Sequence, residues 1–261
     1  MKSARAIVLG LAALLLVGDA PRVRADDDAA ERAGRELAAE LRSLSPAEGI
    51  THLATLRLRT RSGTTQLPLR VEVETGPQGW STRYSATPPD GATQTLVITV
   101  TPDGTNRYEW AQDESRMPVD STARYAPFAG SDFWPADLGM EFLHWPVQRL
   151  LKKELRRGQA CNKLESLAPP GHTNGYVRVV SWFDIDTGGP VICEAYDARG
   201  KLVKEFKPNA FSRVNGRWQV EELEMRDLRT GSRSWIRFDL QPAAPDFTVT
   251  PATNTVISPT P

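Results

Sequence analysis

The residues best suited to chemistry are three histidines, two cysteines and two aspartates beside an aromatic block. His52, His144 and His172 lie far apart in the chain, and none belongs to a close spacing of His, Asp or Glu that would bind a metal. The sequence contains no nucleophile elbow, zinc-protease motif, phosphate-binding loop or C-x-x-C redox pair. It therefore predicts a protein that is not an enzyme and that uses neither a metal nor a cofactor.

Asp132 and Asp137 are the candidates for a pair of catalytic carboxylates, because they lie in and beside the aromatic segment "FAGSDFWPADL". A hydrolase would need the two carboxylates to converge in a cleft. The alternative is structural: Asp132 organises a turn and Asp137 begins a helical turn. We favour the structural interpretation of both aspartates.

The two cysteines, Cys161 and Cys193, both occur in strand-like segments. An even number of cysteines in an exported protein indicates a disulfide. A bridge here would join neighbouring parts of a sheet and would stabilise the fold by roughly 3–4 kcal/mol in the chain-entropy model. The alternative is a pair of buried thiols.

Most of the chain has the period-two pattern of β-strands. The segments "THLATLRLRT" and "TQLPLRVEVET" alternate apolar and polar residues, and the second half repeats this pattern in segments such as "GYVRVVSWFDI" and "RWQVEELEMRDL". Turn signals separate the segments, which indicates about ten short antiparallel strands. A sheet of this length with one apolar face must curl around something that covers that face.

A helix is predicted over residues 29–44. Ala30, Ala33, Leu37, Leu41 and Leu44 recur at spacings of three and four, which gives one apolar stripe. Asp28 is the predicted N-cap, and Ser45-Pro46 ends the helix. The stretch from Leu150 to Arg157 fits a helix and a strand equally well.

The two ends of the chain have distinct compositions. Residues 1–25 combine a basic start, an apolar run and a small-residue cleavage pattern ending at Ala25, which predicts a cleaved signal peptide, with an uncleaved anchor as the alternative. Residues 26–240 are predicted to form a single domain, and residues 241–261 form a tail rich in Pro and Thr.

The net charge of the chain argues against a nucleic-acid partner. Residues 1–25 contain four basic residues and one acid, so the remaining chain has 28 basic and 31 acidic residues and a net charge of −3. Nucleic-acid phosphates demand a basic surface, so this balance disfavours a nucleic-acid partner.

Four motifs in order carry a resemblance to a known family. The aromatic segment, "GQACNKLESLAP", "EAYDARGKLVKEF" and "NGRWQVEELEMRDLRTGSRSWIRF" together resemble the outer-membrane lipoprotein-sorting protein family, which is related to the LolA and LolB lipoprotein carriers. The chain departs from the family pattern after Phe133, where it has Trp134, Pro135 and Ala136. The resemblance extends from about Tyr84 to Leu240.

The resemblance implies a fold of mainly β structure with some α: a strongly curved antiparallel half-barrel of the LolA-like type, covered by helices on its concave side. It also favours a strand over Leu150–Arg157. The aromatic segment would then be a lid whose apolar side chains face the hollow and are the candidate ligand-binding residues: Phe128, Phe133, Trp134, Leu138, Phe142 and Trp145. The alternative is that these side chains fill the core and leave no cavity.

The function implied by the resemblance is a periplasmic carrier of a lipid or of lipoprotein acyl chains, with membrane-bound donor and acceptor proteins as further partners. Such a carrier would shield alkyl chains whose transfer into water costs about 0.8 kcal/mol per CH₂ group. The alternative is a cell-envelope module that uses the same fold to bind a protein partner or act as a sensor. A continuous apolar cavity would favour the first function, and a solidly packed concave side would favour the second.

Overall fold

One open antiparallel sheet dominates the structure. The computed structural model describes residues 20–77, 79–88, 91–113, 115–214 and 216–240. In this part of the chain, thirteen strands form a single sheet that curves without closing. The predicted LolA-like half-barrel is confirmed, with more strands than the ten expected.

The elements have the following bounds. The strands are β1 (Ile50–Thr60), β2 (Gly63–Gly76), β3 (Gly79–Ala86), β4 (Gln94–Val100), β5 (Asn106–Gln112), β6 (Ser115–Pro118), β7 (Val147–Arg156), β8 (Gln159–Leu167), β9 (Arg178–Asp184), β10 (Pro190–Tyr196), β11 (Leu202–Val214), β12 (Arg217–Asp227) and β13 (Arg233–Phe238). The α-helices are α1 (Ala20–Ser43) and α2 (Pro135–Leu138), with short 3-10 turns at Ala123–Tyr125, Phe128–Gly130 and Glu141–His144. The strand predicted over the ambiguous Leu150 stretch is confirmed as β7.

The strand order explains how the chain covers its own sheet. The order is β6-β5-β4-β3-β2-β1-β13-β12-β11-β10-β9-β8-β7, so β6 and β7 are the two edges and β1 pairs with β13. The chain therefore runs to one edge, crosses the concave side through residues 119–146, and returns from the other edge. This crossing segment contains the predicted lid.

Alternation along the strands separates the two faces of the sheet. Concave-face residues are buried and pack into a continuous core, as Leu56, Leu69, Ile98, Met225 and Ile236 do. Their neighbours along the strands point to the convex face, where ion pairs such as Arg156–Glu194 and Arg178–Glu165 cross between strands. One face is therefore available to enclose apolar material.

Helix α1 covers part of the concave side beside the edge strand β7. Of the predicted stripe, Leu41 is buried, Ala30, Ala33 and Leu37 are half-buried, and Leu44 lies beyond the helix and is exposed. Ala38, which was not part of the predicted stripe, is also buried. A Cβ added at Gly34 would lie 2.4 Å from the carbonyl oxygen of Gln148. Only a glycine therefore allows the helix to approach β7 this closely.

The predicted start of this helix was wrong. Helix α1 begins at Ala20, so Asp28 lies inside it and cannot be its N-cap. The helix extends backward because Pro21 is tolerated in a first turn, and no Gly or further Pro interrupts residues 22–28. The helix therefore passes through the predicted cleavage position after Ala25.

Two other predictions stay predictions. Residues 1–19 and 241–261 lie outside the described residues, and they include most of the predicted signal peptide and all of the predicted tail. The division into a signal peptide, a single domain at 26–240 and a tail therefore rests on the sequence. No helix in the described part of the chain has an apolar stretch long enough to cross a membrane.

The disulfide prediction was wrong: Cys161 and Cys193 are both free and buried. Cys161 pairs with Asp184 of β9 and Cys193 pairs with Ser181 of β9, so a whole strand separates them. Strands about 4.8 Å apart put their backbones about 9.6 Å from each other, which exceeds the reach of a disulfide. The two thiols also belong to clusters on opposite faces of the sheet.

Candidate functional site

The crossing segment lies against the concave face, and its aromatic side chains point inward. Phe128 and Phe133 are fully buried in the core formed with β1–β5, β12 and β13. Trp134, Phe142 and Trp145 are buried in a second cluster with α1 and β8–β11, and Leu138 is half-buried. All six predicted lid residues therefore face the interior of the half-barrel.

The local sequence explains why the segment turns here. Ala129 and Gly130 both adopt positive φ angles, of 49° and 71°, and the Ala129 N–H donates to the side-chain oxygen of Gln94 at 3.0 Å. Pro135 then begins the single turn of α2, where its missing N–H costs no hydrogen bond. The Trp134 N–H donates to the Asp137 carboxylate at 2.9 Å and closes that turn.

The two aspartates have structural partners and do not converge in a cleft. Asp132 accepts hydrogen bonds from the hydroxyls of Ser232, at 2.5 Å, and Ser234, at 2.8 Å, and so fixes the segment to β13. Asp137 forms a buried ion pair with Lys204 of β11 and accepts a hydrogen bond from the Tyr176 hydroxyl at 2.8 Å. We did not identify Lys204 as the partner of Asp137 from the sequence.

The ion pair ties the aromatic cluster to the sheet. The Lys204 ammonium lies 3.5 Å from the centre of the Trp134 ring, which in turn stacks on Tyr176 with ring centres 5.7 Å apart. Burial lowers the pKa of the Lys204 amine, and the adjacent Asp137 carboxylate opposes that effect. A cation between a carboxylate and an aromatic face can stay charged in the interior.

A cavity of about 460 Å³ lies beyond this packed region, at one end of the half-barrel. Its walls come from the end of α1, strands β3–β5, residues 138–144 of the crossing segment and the turn between β9 and β10. The walls are mainly apolar and include Leu41, Trp80, Tyr84, Ile98, Val100, Leu138, Met140, Leu143 and Phe183. The volume is in the range that small-molecule sites occupy, roughly 300–1,000 Å³.

Several polar groups also line this cavity. Arg42 donates to the Leu143 carbonyl, and Asn106 donates to the Gly139 carbonyl at 2.6 Å. Burial lowers the pKa of Arg42 and of His144, and the Arg42 charge lowers that of His144 further, whereas Glu141 and Asp103 raise it. Arg42 and His144 also line an adjoining cavity of about 230 Å³ that contains Arg35 and Asp103.

Tyr84 contributes a neutral hydroxyl to the cavity wall. Burial raises the pKa of Tyr84 to about 12, so its side chain stays protonated near neutral pH. The site therefore combines apolar walls, an uncharged phenol and a basic side at Arg42. It is suited to binding an apolar chain.

Only one of the six predicted ligand-binding residues lines the cavity. Leu138 is in its wall, and Phe142 borders a separate void of about 20 Å³ beside Lys204. Phe128, Phe133 and Trp134 are packed in the core and line neither space, whereas Trp145 is buried but also lines the adjoining cavity of about 230 Å³. Direct ligand contact by these residues stays a prediction, and their packing role is what the structure shows.

The cavity-lining residues that the sequence analysis did not predict come from distant parts of the chain. Arg42, Val100, His144 and Phe183 meet only because strand order brings α1, β4, the crossing segment and β9 together. Among the described residues, no three His, Cys, Asp or Glu side chains are grouped closely enough to hold a metal ion.

Comparison with known proteins supports the fold assignment. A family model described as "Uncharacterized protein" matches residues 85–243, which is more than half of the chain. No curated protein matches the chain in sequence.

Three solved structures have the same fold at low sequence identity. A domain described as an outer membrane lipoprotein-sorting protein from Vibrio parahaemolyticus is 19% identical, with a TM-score of 0.66 over 80% of this chain and 92% of that one. A DUF1329 family protein from Desulfovibrio piger is 18% identical, with a TM-score of 0.64 over 81% and 94%. A LolA superfamily protein from Nitrosomonas europaea is 16% identical, with a TM-score of 0.55 over 81% and 92%. The chain belongs to the family that the matching model describes, and its fold is that of the LolA-like, outer-membrane lipoprotein-sorting proteins.

Proposed function

We propose that this protein is a non-catalytic periplasmic carrier that binds a lipid, or the acyl chains of a lipoprotein, during lipid transfer or lipoprotein sorting to the outer membrane. The observation that carries the proposal is the 460 Å³ cavity with apolar walls beneath the crossing segment. Each CH₂ group that enters such a cavity leaves water with a gain of about 0.8 kcal/mol. A cavity of this kind moves an alkyl chain through water without any bond being made or broken.

The cavity and the core have different roles in this proposal. The central aromatic residues fix the segment to the sheet, and the cavity-lining residues offer the guest an apolar surface. The fold shared with lipoprotein-sorting proteins supports a carrier role, and the predicted signal peptide supports export. Membrane-bound donor and acceptor proteins would load and unload the carrier.

Uptake of a fluorescent acyl probe tests the proposal. In Val100→Trp the indole would occupy the cavity, and we expect probe affinity to fall about tenfold or more because the guest loses its space. Thr99→Trp is the matched control, since Thr99 precedes Val100 in β4 and its side chain lies on the opposite face of the strand. Its probe affinity should equal that of the wild type.

Organic extraction of the purified protein provides a second readout. We expect native mass spectra of the wild type to contain a bound lipid that is absent from Val100→Trp. Wild-type protein that binds no lipid and takes up no probe would contradict the carrier function and favour a module that binds a protein partner.

A further inference from the structure

The exposed apolar side chains gather at the same end of the half-barrel as the cavity. We name this the cavity end: β1, β3, β5, β8, β10 and β12 begin there, and the strands paired with them end there. Among the described residues, nine large hydrophobic side chains are exposed. Those at the cavity end are Leu44, Ile50, Leu53, Leu155, Ile185, Phe211 and Trp218.

The remaining two exposed residues show that this clustering is not general. Met117 lies in β6 and Leu151 lies in the middle of β7, which are the two edge strands. Of the nine, only Met117, near the β5–β6 hairpin, lies toward the opposite end of the described strands. Single exposed apolar residues are common on proteins, but a gathered set marks a surface that meets an apolar partner.

Two hairpins at the cavity end combine apolar and basic side chains. In the hairpin of β11 and β12, Phe211 is 50% exposed and Trp218 is 71% exposed, and Arg213 pairs with Trp218 across the strands. In the hairpin of β7 and β8, Leu155 is 77% exposed and lies near the exposed Lys153 and Arg157. The two hairpins are three strands apart, or about 14 Å.

This combination matches the chemistry of a bilayer surface. Tryptophan and phenylalanine favour the boundary between head groups and acyl chains, and arginine and lysine are attracted to anionic head groups. The turn between the hairpins carries Ile185 with Asp186, so the basic charge is concentrated on the two hairpin tips. A docking surface for a protein partner could rely on charge pairs, and it would not require hairpin tips that are both basic and apolar.

We infer that the cavity end is a docking surface for an anionic lipid bilayer, with the hairpin tips at Trp218 and Leu155 entering the interface. Docking in this orientation brings the cavity walls at Trp80 and Pro190 toward the lipid. A guest then passes between bilayer and cavity with less exposure to water. The inference extends the proposed function, because it adds the surface through which the carrier meets its lipid.

Vesicle flotation tests the inference with the full exported protein. We expect wild-type protein to float with vesicles of phosphatidylglycerol and phosphatidylethanolamine, and to float less with phosphatidylcholine vesicles or at high salt. The double variant Phe211→Ser/Trp218→Ser should partition about tenfold less into the anionic vesicles. Met117→Ser/Leu151→Ser is the matched control, because it removes two exposed apolar side chains away from the cavity end.

Arg213→Glu tests separately whether basic charge contributes to docking, because Arg213 is exposed and its contribution to stability is small. It should weaken flotation with anionic vesicles and leave flotation with phosphatidylcholine unchanged. Wild-type protein that does not float, or equal losses in the cavity-end and control variants, would overturn the inference. A wild type that fails to float but forms a complex with a second protein chain sensitive to Trp218→Ser would overturn it in favour of a protein contact.

Different outcomes would contradict the carrier proposal and the docking proposal. Phe211→Ser/Trp218→Ser should still take up the acyl probe in the absence of vesicles, since neither residue lines the cavity. Val100→Trp should lose probe uptake and still float with anionic vesicles. Flotation without probe uptake in the wild type would therefore contradict the carrier function alone.

Discussion

The concave side of the sheet contains two regions that are built differently. In the centre, Phe128 and Phe133 fill the space completely, and the Asp137–Lys204 ion pair and the serine hydroxyls on Asp132 fix the segment to the sheet. At the cavity end, residues 139–144 of the same segment cover an open volume. Hydrogen bonds to the Gly139 and Leu143 carbonyls hold this part in place.

The difference indicates that the crossing segment is not a lid that swings open as one body. Opening the centre would separate a buried ion pair and expose several aromatic side chains, whereas the hydrogen bonds to the Gly139 and Leu143 carbonyls are only partly buried. In the proposed carrier, a guest would therefore enter past the cavity-end part of the segment and the end of α1, while the centre would stay fixed.

The largest effect is expected from breaking the central ion pair. Asp137→Asn leaves the buried Lys204 ammonium without its ion-pair partner, and we expect a loss of about 3–5 kcal/mol in the free energy of unfolding. Urea unfolding followed by circular dichroism measures the loss. Asp103→Asn at the exposed side of the cavity end should change stability far less.

A double variant separates charge burial from packing. Asp137→Leu/Lys204→Met removes both charges together, so it should be more stable than Asp137→Asn. If the double variant were as unstable as Asp137→Asn, the aromatic packing rather than the ion pair would be what fixes the centre.

The second prediction compares one substitution in the two regions. Phe133→Leu creates a void in a fully packed core and should cost about 2 kcal/mol. Phe183→Leu enlarges a cavity that already exists, so it should cost roughly half as much. The same urea titration measures both, and acyl-probe uptake should be retained in Phe183→Leu. Equal costs in the two variants would mean that the cavity end is packed as tightly as the centre.

The sequence was sufficient to predict the kind of sheet and the direction of its apolar face. Alternation along β1 and β2 places Leu56 and Leu69 on the buried side, as the structure has them. The role of Asp137 in starting α2 was also predictable, because capping chemistry depends on neighbouring residues. The predicted turn role of Asp132 was wrong, because its carboxylate accepts from the distant Ser232 and Ser234, and the Ser131 hydroxyl accepts from the Phe133 N–H in the turn instead. The alternating strand pattern and the Asp137 cap each depend on only a few residues that are adjacent in the sequence.

The cavity was not predictable, since its walls depend on strand order and register. Val100 and Phe183 are in different halves of the sheet, and nothing local indicates that they face the same space. The disulfide prediction was wrong for the same reason. Strand β9 lies between the strands that carry Cys161 and Cys193, and neither sequence segment indicates this.

One missed feature did leave a signal in the sequence. Lys204 shares its strand face with Phe206, which places a charge on the apolar side of β11. A charged residue on a buried face requires a partner of opposite charge. The aromatic segment was predicted to lie over the concave side, so its aspartates were candidates for this partner, and one of them, Asp137, is the partner.

The smallest expected effect is a pH dependence that belongs to the cavity end. Burial, the main cause, and the Arg42 charge lower the pKa of His144 in the folded state, against the opposing effects of Glu141 and Asp103. The unfolded chain, with a histidine pKa near 6.5, then binds more protons than the folded chain as pH falls through that value, so stability is retained above about pH 6.5 and declines below it. His52 contributes in the same direction, because burial also lowers its pKa. Urea midpoints between pH 7 and pH 5 should therefore fall less in His144→Gln than in the wild type, and an unchanged slope would mean that protonation of His144 is tolerated beside Arg42.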